Sequence, residues 1–400
     1  MSRPLIAGIV VLWLAPMARA QEVTEEGFLS ALNDNNAAVQ SLKDGLARAE
    51  GARVQARTLS NPRLDFWREE PESNPQTTNW TLAWTPPLNG RYGLGKKAAE
   101  VGLAAARDRF EADRAEVRRE FRGAFAEWRL ALERRDTLRQ QLDLVTNLGE
   151  NERQRARVGE QSGLAARRFT LAEGEVRTAL GSADAAYVRA ESAARALRRD
   201  LPAESQPAPL VLPEPPAALD SVDSPQLTAL EQEKAQAGYE ARRVGRFLGF
   251  PTLLIGWQTI ENGGISASGP IVAAGWTVPL FDRDQGARLE AQQMSDIAAA
   301  RLTFAQARIA GEVEGGLSAY RVLFASAHET EKTAGETDRT IEAATAAFRA
   351  GEAGLTDLLE TLRSAFAARL RAIDTRGQAL EAHRDLEVVL GRPLTGEGDQ

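Results

Sequence analysis

The sequence predicts a mainly α-helical protein with a small β part, built from duplicated long helical hairpins and four strands. Three observations predict it. The chain repeats itself at a nearly constant shift. Long stretches carry apolar residues at alternating steps of four and three. Two pairs of short segments alternate apolar and small or polar residues, and they hold five of the seven Trp.

The repeat is read residue by residue. Ala83-Trp84-Thr85-Pro86-Pro87-Leu88 matches Gly275-Trp276-Thr277-Val278-Pro279-Leu280 at a shift of 192. Arg91 matches Arg283 at that shift, as do Glu120 with Glu312 and Gly159-Glu160 with Gly351-Glu352. Upstream, Pro62 aligns with Pro251 at a shift of 189. Long helices packed in fixed register explain why no net insertion separates the copies over more than 70 residues. The expected organisation is a secretory signal at 1–20, a first repeat at 21–201, a Pro-rich linker at 202–225, a second repeat at 226–393 and a polar tail at 394–400. The signal has Arg3, an apolar run from Leu5 to Leu14 and the small-x-small site Ala18-Arg19-Ala20. The linker holds seven of the chain's 18 prolines, which cannot sit inside helices, so it is expected to be extended.

Each repeat has the same order: a polar helix (roughly 24–59 and 224–247), two strands, a long helix (roughly 94–157 and 287–349), a turn and a return helix (roughly 164–200 and 355–391). At ~1.5 Å per residue the long helix reaches ~95 Å. Val117, Phe121, Ala124, Trp128 and Ala131 set its apolar rhythm, and Ile309, Val313, Gly316, Tyr320 and Leu323 repeat it. The first return helix continues it through Val176, Leu180, Ala183, Tyr187, Ala190, Ala194 and Leu197. A 3.5-residue period is the signature of supercoiled packing, and the many Ala and Gly at the seam permit close approach. The Arg and Glu of the other faces read as solvated, weakly paired charges.

In the strands, Leu64, Phe66, Trp80, Leu82 and Trp84 share one face, as do Leu253, Ile255, Trp257, Trp276 and Val278. Turn-rich loops at 69–76 and 260–269 are expected between the strands of each pair. Isolated hairpins are marginal in water, but one apolar face opposite a small or polar one suits a barrel wall in lipid. Four strands cannot close such a barrel, so several chains must contribute.

Composition narrows the function. The 400 residues carry a net charge of −7, no Cys, two His, and five Lys against 44 Arg. Absence of Cys excludes disulfides, thiolate metal sites, Cys nucleophiles and a Cys-linked lipid anchor. The acidic balance does not suggest nucleic acid as a partner. No Gly-rich phosphate loop or nucleophile elbow occurs, so neither an enzyme nor a cofactor is expected. His328 and His383 read as solvated helix histidines rather than metal ligands. After the first 20 residues no apolar run approaches the ~20 needed for a transmembrane helix. A periplasmic adaptor or a secreted structural coiled coil are the alternative readings; both leave two Trp-bearing strand pairs unexplained.

Over residues 24–393 the sequence resembles the TolC-type outer-membrane efflux family. The likeness rests on the duplicated layout, on Asn61-Pro62-Arg63-Leu64 before the first strand, on the Pro-Leu-turn-Arg exit into each long helix, and on the turn from Phe348 to Glu360. The compact, Cys-free form resembles the branch serving heavy-metal resistance pumps. The resemblance implies a homotrimer in the outer membrane of a Gram-negative-type bacterium, in contact with outer-membrane lipid. Its barrel would have twelve strands, and a helical tunnel would cross the periplasm as an α-barrel. A periplasmic adaptor (membrane fusion) protein and an inner-membrane pump would dock at the tunnel's end. Arg157, Val158, Gly159, Ala350 and Gly351 would be the adaptor-contact tips, and Asp357 and Glu360 the acidic periplasmic gate. The latch common in the family is missing here, because Ala353 and Ala165 stand where an Arg and its acidic partner are expected.

Overall fold

A computed structural model describes residues 22–72, 75–158, 163–219, 223–246 and 249–394. The expected signal, Gly159 and nearly all of the tail lie outside the described residues. In chain order the elements are β1 (Glu22–Val23), α1 (Glu25–Leu29), α2 (Ala37–Arg57), β2 (Arg63–Glu69), β3 (Gln76–Trp84), α3 (Arg91–Arg157), α4 (Gly163–Leu197), β4 (Gln206–Pro207), α5 (Pro225–Gly245), β5 (Thr252–Asn262), β6 (Ile265–Gly275), α6 (Gln285–Gly335), α7 (Thr337–Ala350) and α8 (Leu355–Leu390). The strand pair, long helix and return helix thus occur twice in the same order.

Two helices break where the sequence predicts continuity. The first helix is two, α1 and α2, because the Asn33-Asp34-Asn35-Asn36 run folds on its own side chains. Asn33 Oδ1 accepts from the Asn35 N–H at 3.0 Å, and Asn36 caps α2 by accepting from Ala38. The second long helix breaks at Glu336. Gly335 is a poor helix former there, and the Thr337 hydroxyl donates to the Ala334 carbonyl while accepting from Arg369. The first long helix has no such break over 67 residues.

The chain divides into two compact units, each drawing on both repeats. One takes the chain up to residue 31, 120–212 and 325–380. Its core follows the predicted rhythm: Phe121 and Trp128 are buried, with Val176, Ala183, Ala190 and Ala194 of the return helix. Phe28 of α1 packs on Phe121 and Phe125 at ring distances of 5.9 and 5.5 Å. Burying one such aromatic contributes up to ~3 kcal/mol. The charges here are not all solvated. Glu133 sits between Arg129 and Arg376, with side chains only 18–21% exposed, and Arg376 also reaches Glu331 at 3.4 Å. Burial holds both guanidinium pKa values below their ordinary value, yet guanidinium stays charged at any physiological pH.

The other unit takes 32–119, 213–324 and the chain from 381 onward. Ile309, Val313, Leu386 and Leu390 form a buried cluster in it. His383 is not solvated: it is 1% exposed, its ring 5.2 Å from that of Tyr320.

The Pro-rich segment is extended but clasped. In the first unit β4 pairs in parallel with β1, and Arg195 donates to the carbonyls of Leu201, Pro202 and Ala203. In the second unit Tyr320 donates to the Pro213 carbonyl, and Arg321 to those of Pro216 and Ala217. Side chains thus satisfy carbonyls in a segment whose prolines offer no N–H to a ladder.

Candidate functional site: an apolar sheet face and two helical tips

The four long strands make one antiparallel sheet in the order β2-β3-β5-β6, joined at its centre by β3 and β5 from different repeats. Trp80 stands opposite Trp257, with Phe66 beside Trp80 at 4.4 Å between ring centroids. The next row is Leu64, Leu82, Ile255 and Val272. All of these are exposed. Across the pleat, Asn79, Thr81 and Ala83 are buried. Alternation therefore separates an exposed apolar face from a small and polar one, as the sequence predicts.

Trp84 and Trp276 are held alike in the two repeats. Each indole N–H donates to a backbone carbonyl of the incoming segment, Ser60 at 3.0 Å and Gly249 at 3.2 Å. The bonds preserve the shifts of 192 for the Trp and 189 for the acceptor seen in the sequence. Two details differ from expectation. Trp276 and Val278, both exposed, lie beyond the end of β6 rather than in it. The β5–β6 connection is also shorter than 260–269: Gly263 and Gly264, with φ of 57° and 87°, turn the chain in two residues. Asn262-Gly263-Gly264 is a recognisable signal for such a turn.

β2 and β6 are the sheet's edges within one chain. Edges of 7 and 11 residues beside an exposed apolar face invite pairing with other strands.

The turns of the helical hairpins form the second part of the site. Arg157 ends α3 and Val158 follows it, both exposed, with Val158 at 71%. Ala350 and Gly351 are exposed at the other turn, where Gly351 takes φ 79°, a left-handed cap that favours glycine. Above the turns, Val145, Leu148, Phe169, Leu358 and Leu362 form a buried cluster joining α3, α4 and α8, with Phe348 edge-on to Phe169 at 6.4 Å.

Asp357 and Glu360 lie three residues apart on the exposed side of α8. Asp357 also accepts from the Gly354 N–H at 3.3 Å, which helps start the helix. Residues that the sequence did not single out surround them. Arg168 donates to the Thr356 hydroxyl at 2.6 Å, and Arg363 pairs with Glu175 at 2.8 Å, so α4 and α8 are tied twice. Glu152 and Glu173 are buried near the first turn, each with an Arg partner. Both stand at core positions of the apolar rhythm, one turn beyond Leu148 and Phe169, and a carboxylate there is a signal that sequence reading can use.

A chain with this fold is a helical-hairpin protein carrying one four-stranded antiparallel sheet. Residues 221–392 match the family described as outer membrane efflux protein. The cobalt-zinc-cadmium resistance protein CzcC of Cupriavidus metallidurans is 23% identical over 389 residues, 94% of this chain and 92% of that one. The CmeC outer membrane channel of Campylobacter jejuni superposes with a TM-score of 0.75 at 13% identity, covering 100% of this chain and 95% of that one. The MtrE outer membrane channel of Neisseria gonorrhoeae, in its open state, gives 0.73 at 17% identity, with 94% and 91% covered. The family match falls on the second repeat, and the likeness to the solved channels, which spans nearly the whole chain, is one of fold.

Proposed function

We propose that the protein is the outer-membrane channel of a tripartite efflux system, conducting substrates from a periplasmic adaptor and inner-membrane pump to the exterior. The observation that carries this is the four-stranded sheet with an exposed apolar face and two open edges. Three chains, each adding four strands, would close a wall with its apolar face in lipid, and the helical hairpins would extend into the periplasm. Residues 1–20 are the export signal in this reading. The ten apolar residues from Leu64 to Val278 named above face lipid. Arg157, Val158, Gly159, Ala350 and Gly351 meet the adaptor. The likeness to a cobalt-zinc-cadmium resistance protein favours divalent cations as cargo. The chain acts as a duct, so it needs no deep metal site.

Asp357 and Glu360 form the gate's acidic ring, three copies each. A ring of like charge focuses potential and favours cations. The Arg168–Thr356 and Arg363–Glu175 ties hold α8 against α4 in place of the missing latch. Both Arg363 and Glu175 are well exposed, so their pairing is weak enough to release on docking. Planar-bilayer recording with zinc or cadmium salts tests both levels. Wild-type protein should give steady, cation-selective channels. Asp357→Ala with Glu360→Ala should lower the cation-to-anion permeability ratio roughly threefold or more. Unchanged selectivity removes these two as gate residues, and absence of any channel removes the conduit itself.

A further inference from the structure

Within the second unit each short helix lies against the long helix of its own repeat. Arg57 of α2 pairs with Glu100 of α3 at 2.8 Å, and Gln226 of α5 accepts from Arg308 of α6 at 3.3 Å. α5 also has a second long neighbour, α3. Arg109 of α3 pairs with Glu233 of α5 at 2.5 Å. Gly102 of α3 makes room for Gln236 of α5, since a Cβ there would come within 2.9 Å of the Gln236 side chain. The sheet explains why these two helices meet. β3 leads into α3, α5 leads into β5, and β3 pairs with β5. Paired strands thus bring together the helices that flank them.

β6 leads into α6, α2 leads into β2, and β6 and β2 are the sheet's open edges. Pairing of those edges between copies therefore sets α6 of one chain beside α2 of the next. The repeat supplies the register. A shift of 192 carries α3 onto α6, and a shift of 189 carries α2 onto α5, where Arg53, Arg57 and Pro62 match Arg242, Arg246 and Pro251. Arg109 then maps to Arg301 and Glu233 to Asp44, so the ion pair keeps its charges. Gly102 with Gln236 maps to Met294 with Ala47, a small side chain against a large one with the sizes exchanged. All four mapped residues are exposed in the single chain, Met294 at 56%. Among the described residues, neither Arg301 nor Asp44 pairs with a charge of its own chain. Phe304, one turn beyond Arg301, is 71% exposed. We infer that α6 of one chain seats antiparallel on α2 of the next, with Arg301 paired to Asp44 of the partner subunit. The seam repeats between chains the contact that α3 and α5 make within one. The inference rests on the channel reading above and adds to it a helical seam whose ion pair sets the register.

The test uses the full-length chain in outer membranes, which brings no Cys of its own. Ala47→Cys combined with Met294→Cys, treated with a short bismaleimide, should give a covalent species that stops at three chains. Neither single variant should cross-link. Added to that pair, Arg301→Asp should cut the cross-linked yield about fivefold or more, because it sets two carboxylates against each other. Asp44→Arg should do the same with two guanidiniums. Arg301→Asp and Asp44→Arg together should restore the yield, since exchanging both charges rebuilds the pair. Trimers that run intact on unheated gels while Ala47→Cys and Met294→Cys fail to cross-link overturn the inference and leave the channel reading standing. Single charge variants that cross-link like the parent pair, or a charge exchange that does not restore the yield, overturn the assigned ion pair. A wild-type chain that gives no trimer at all in the membrane sinks the channel reading, and the seam with it.

Discussion

Replacing Ile255 by Lys should abolish accumulation of the protein in the outer membrane. Ile255 is 57% exposed in the middle of the apolar face, between the Trp80–Trp257 row and Trp84. A lysine facing lipid at mid-depth costs ~2–4 kcal/mol, and less near either interface. Three copies in a trimer would cost ~6–12 kcal/mol, comparable to the whole stability of an ordinary domain. Gln258→Lys is the control, because Gln258 pairs with Asn79 and so lies on the opposite face. Heat-modifiable bands in the outer-membrane fraction report both. Gln258→Lys should give wild-type amounts and Ile255→Lys almost none. Equal amounts of the two would mean that the exposed face does not meet lipid.

The second large effect is at the tips. Phe169 is fully buried among Val145, Leu148, Leu358 and Leu362, with Phe348 against its edge. It is the side chain through which α4 of the first repeat grips α7 and α8 of the second. Truncation to Ala leaves a cavity and should cost ~3–5 kcal/mol locally. The surface ties Arg168–Thr356 and Arg363–Glu175 cannot offset that, since exposed pairs contribute ~1 kcal/mol or less. Phe169→Ala should loosen the tips, seen as raised and noisier single-channel conductance and faster proteolysis near residue 170. Leu171→Ala, two residues away and 71% exposed, should behave as wild type to within ~0.5 kcal/mol. If Phe169→Ala conducts and resists protease like wild type, the tip cluster does not hold the gate.

Much of this was legible because it is periodic. The 4–3 rhythm placed Phe121, Trp128, Ile309, Val313 and Tyr320 on the buried side, where they lie. Strict alternation likewise placed Leu64, Phe66, Trp80 and Trp257 on one face. Aperiodic, side-chain-driven features escaped. The Asn33–Asn36 break and the turn at Glu336 come from short hydrogen bonds that compete with helix. His383 was placed in solvent because carboxylates crowd its helix, but its own face packs on Tyr320. Arg168 and Thr356 stand 188 residues apart, and no local pattern links them. The clasping of the Pro-rich segment was hidden for a related reason: the prolines announce extension, while the residues that hold it, Arg195, Tyr320 and Arg321, lie on distant helices.

In the proposed channel, three copies close one barrel through β2 of one chain and β6 of the next. The native chain has no Cys, so introduced thiols are the only ones that can react. Asp65→Cys on β2, combined in turn with Gly269→Cys, Ile271→Cys and Ala273→Cys on β6, keeps every probe on the inner face of the sheet. Oxidation in intact outer membranes should give, for at least one pair, a covalent species that stops at three chains, with each single-Cys protein uncrosslinked. Monomers throughout, or a ladder running past three, would contradict a closed trimeric barrel.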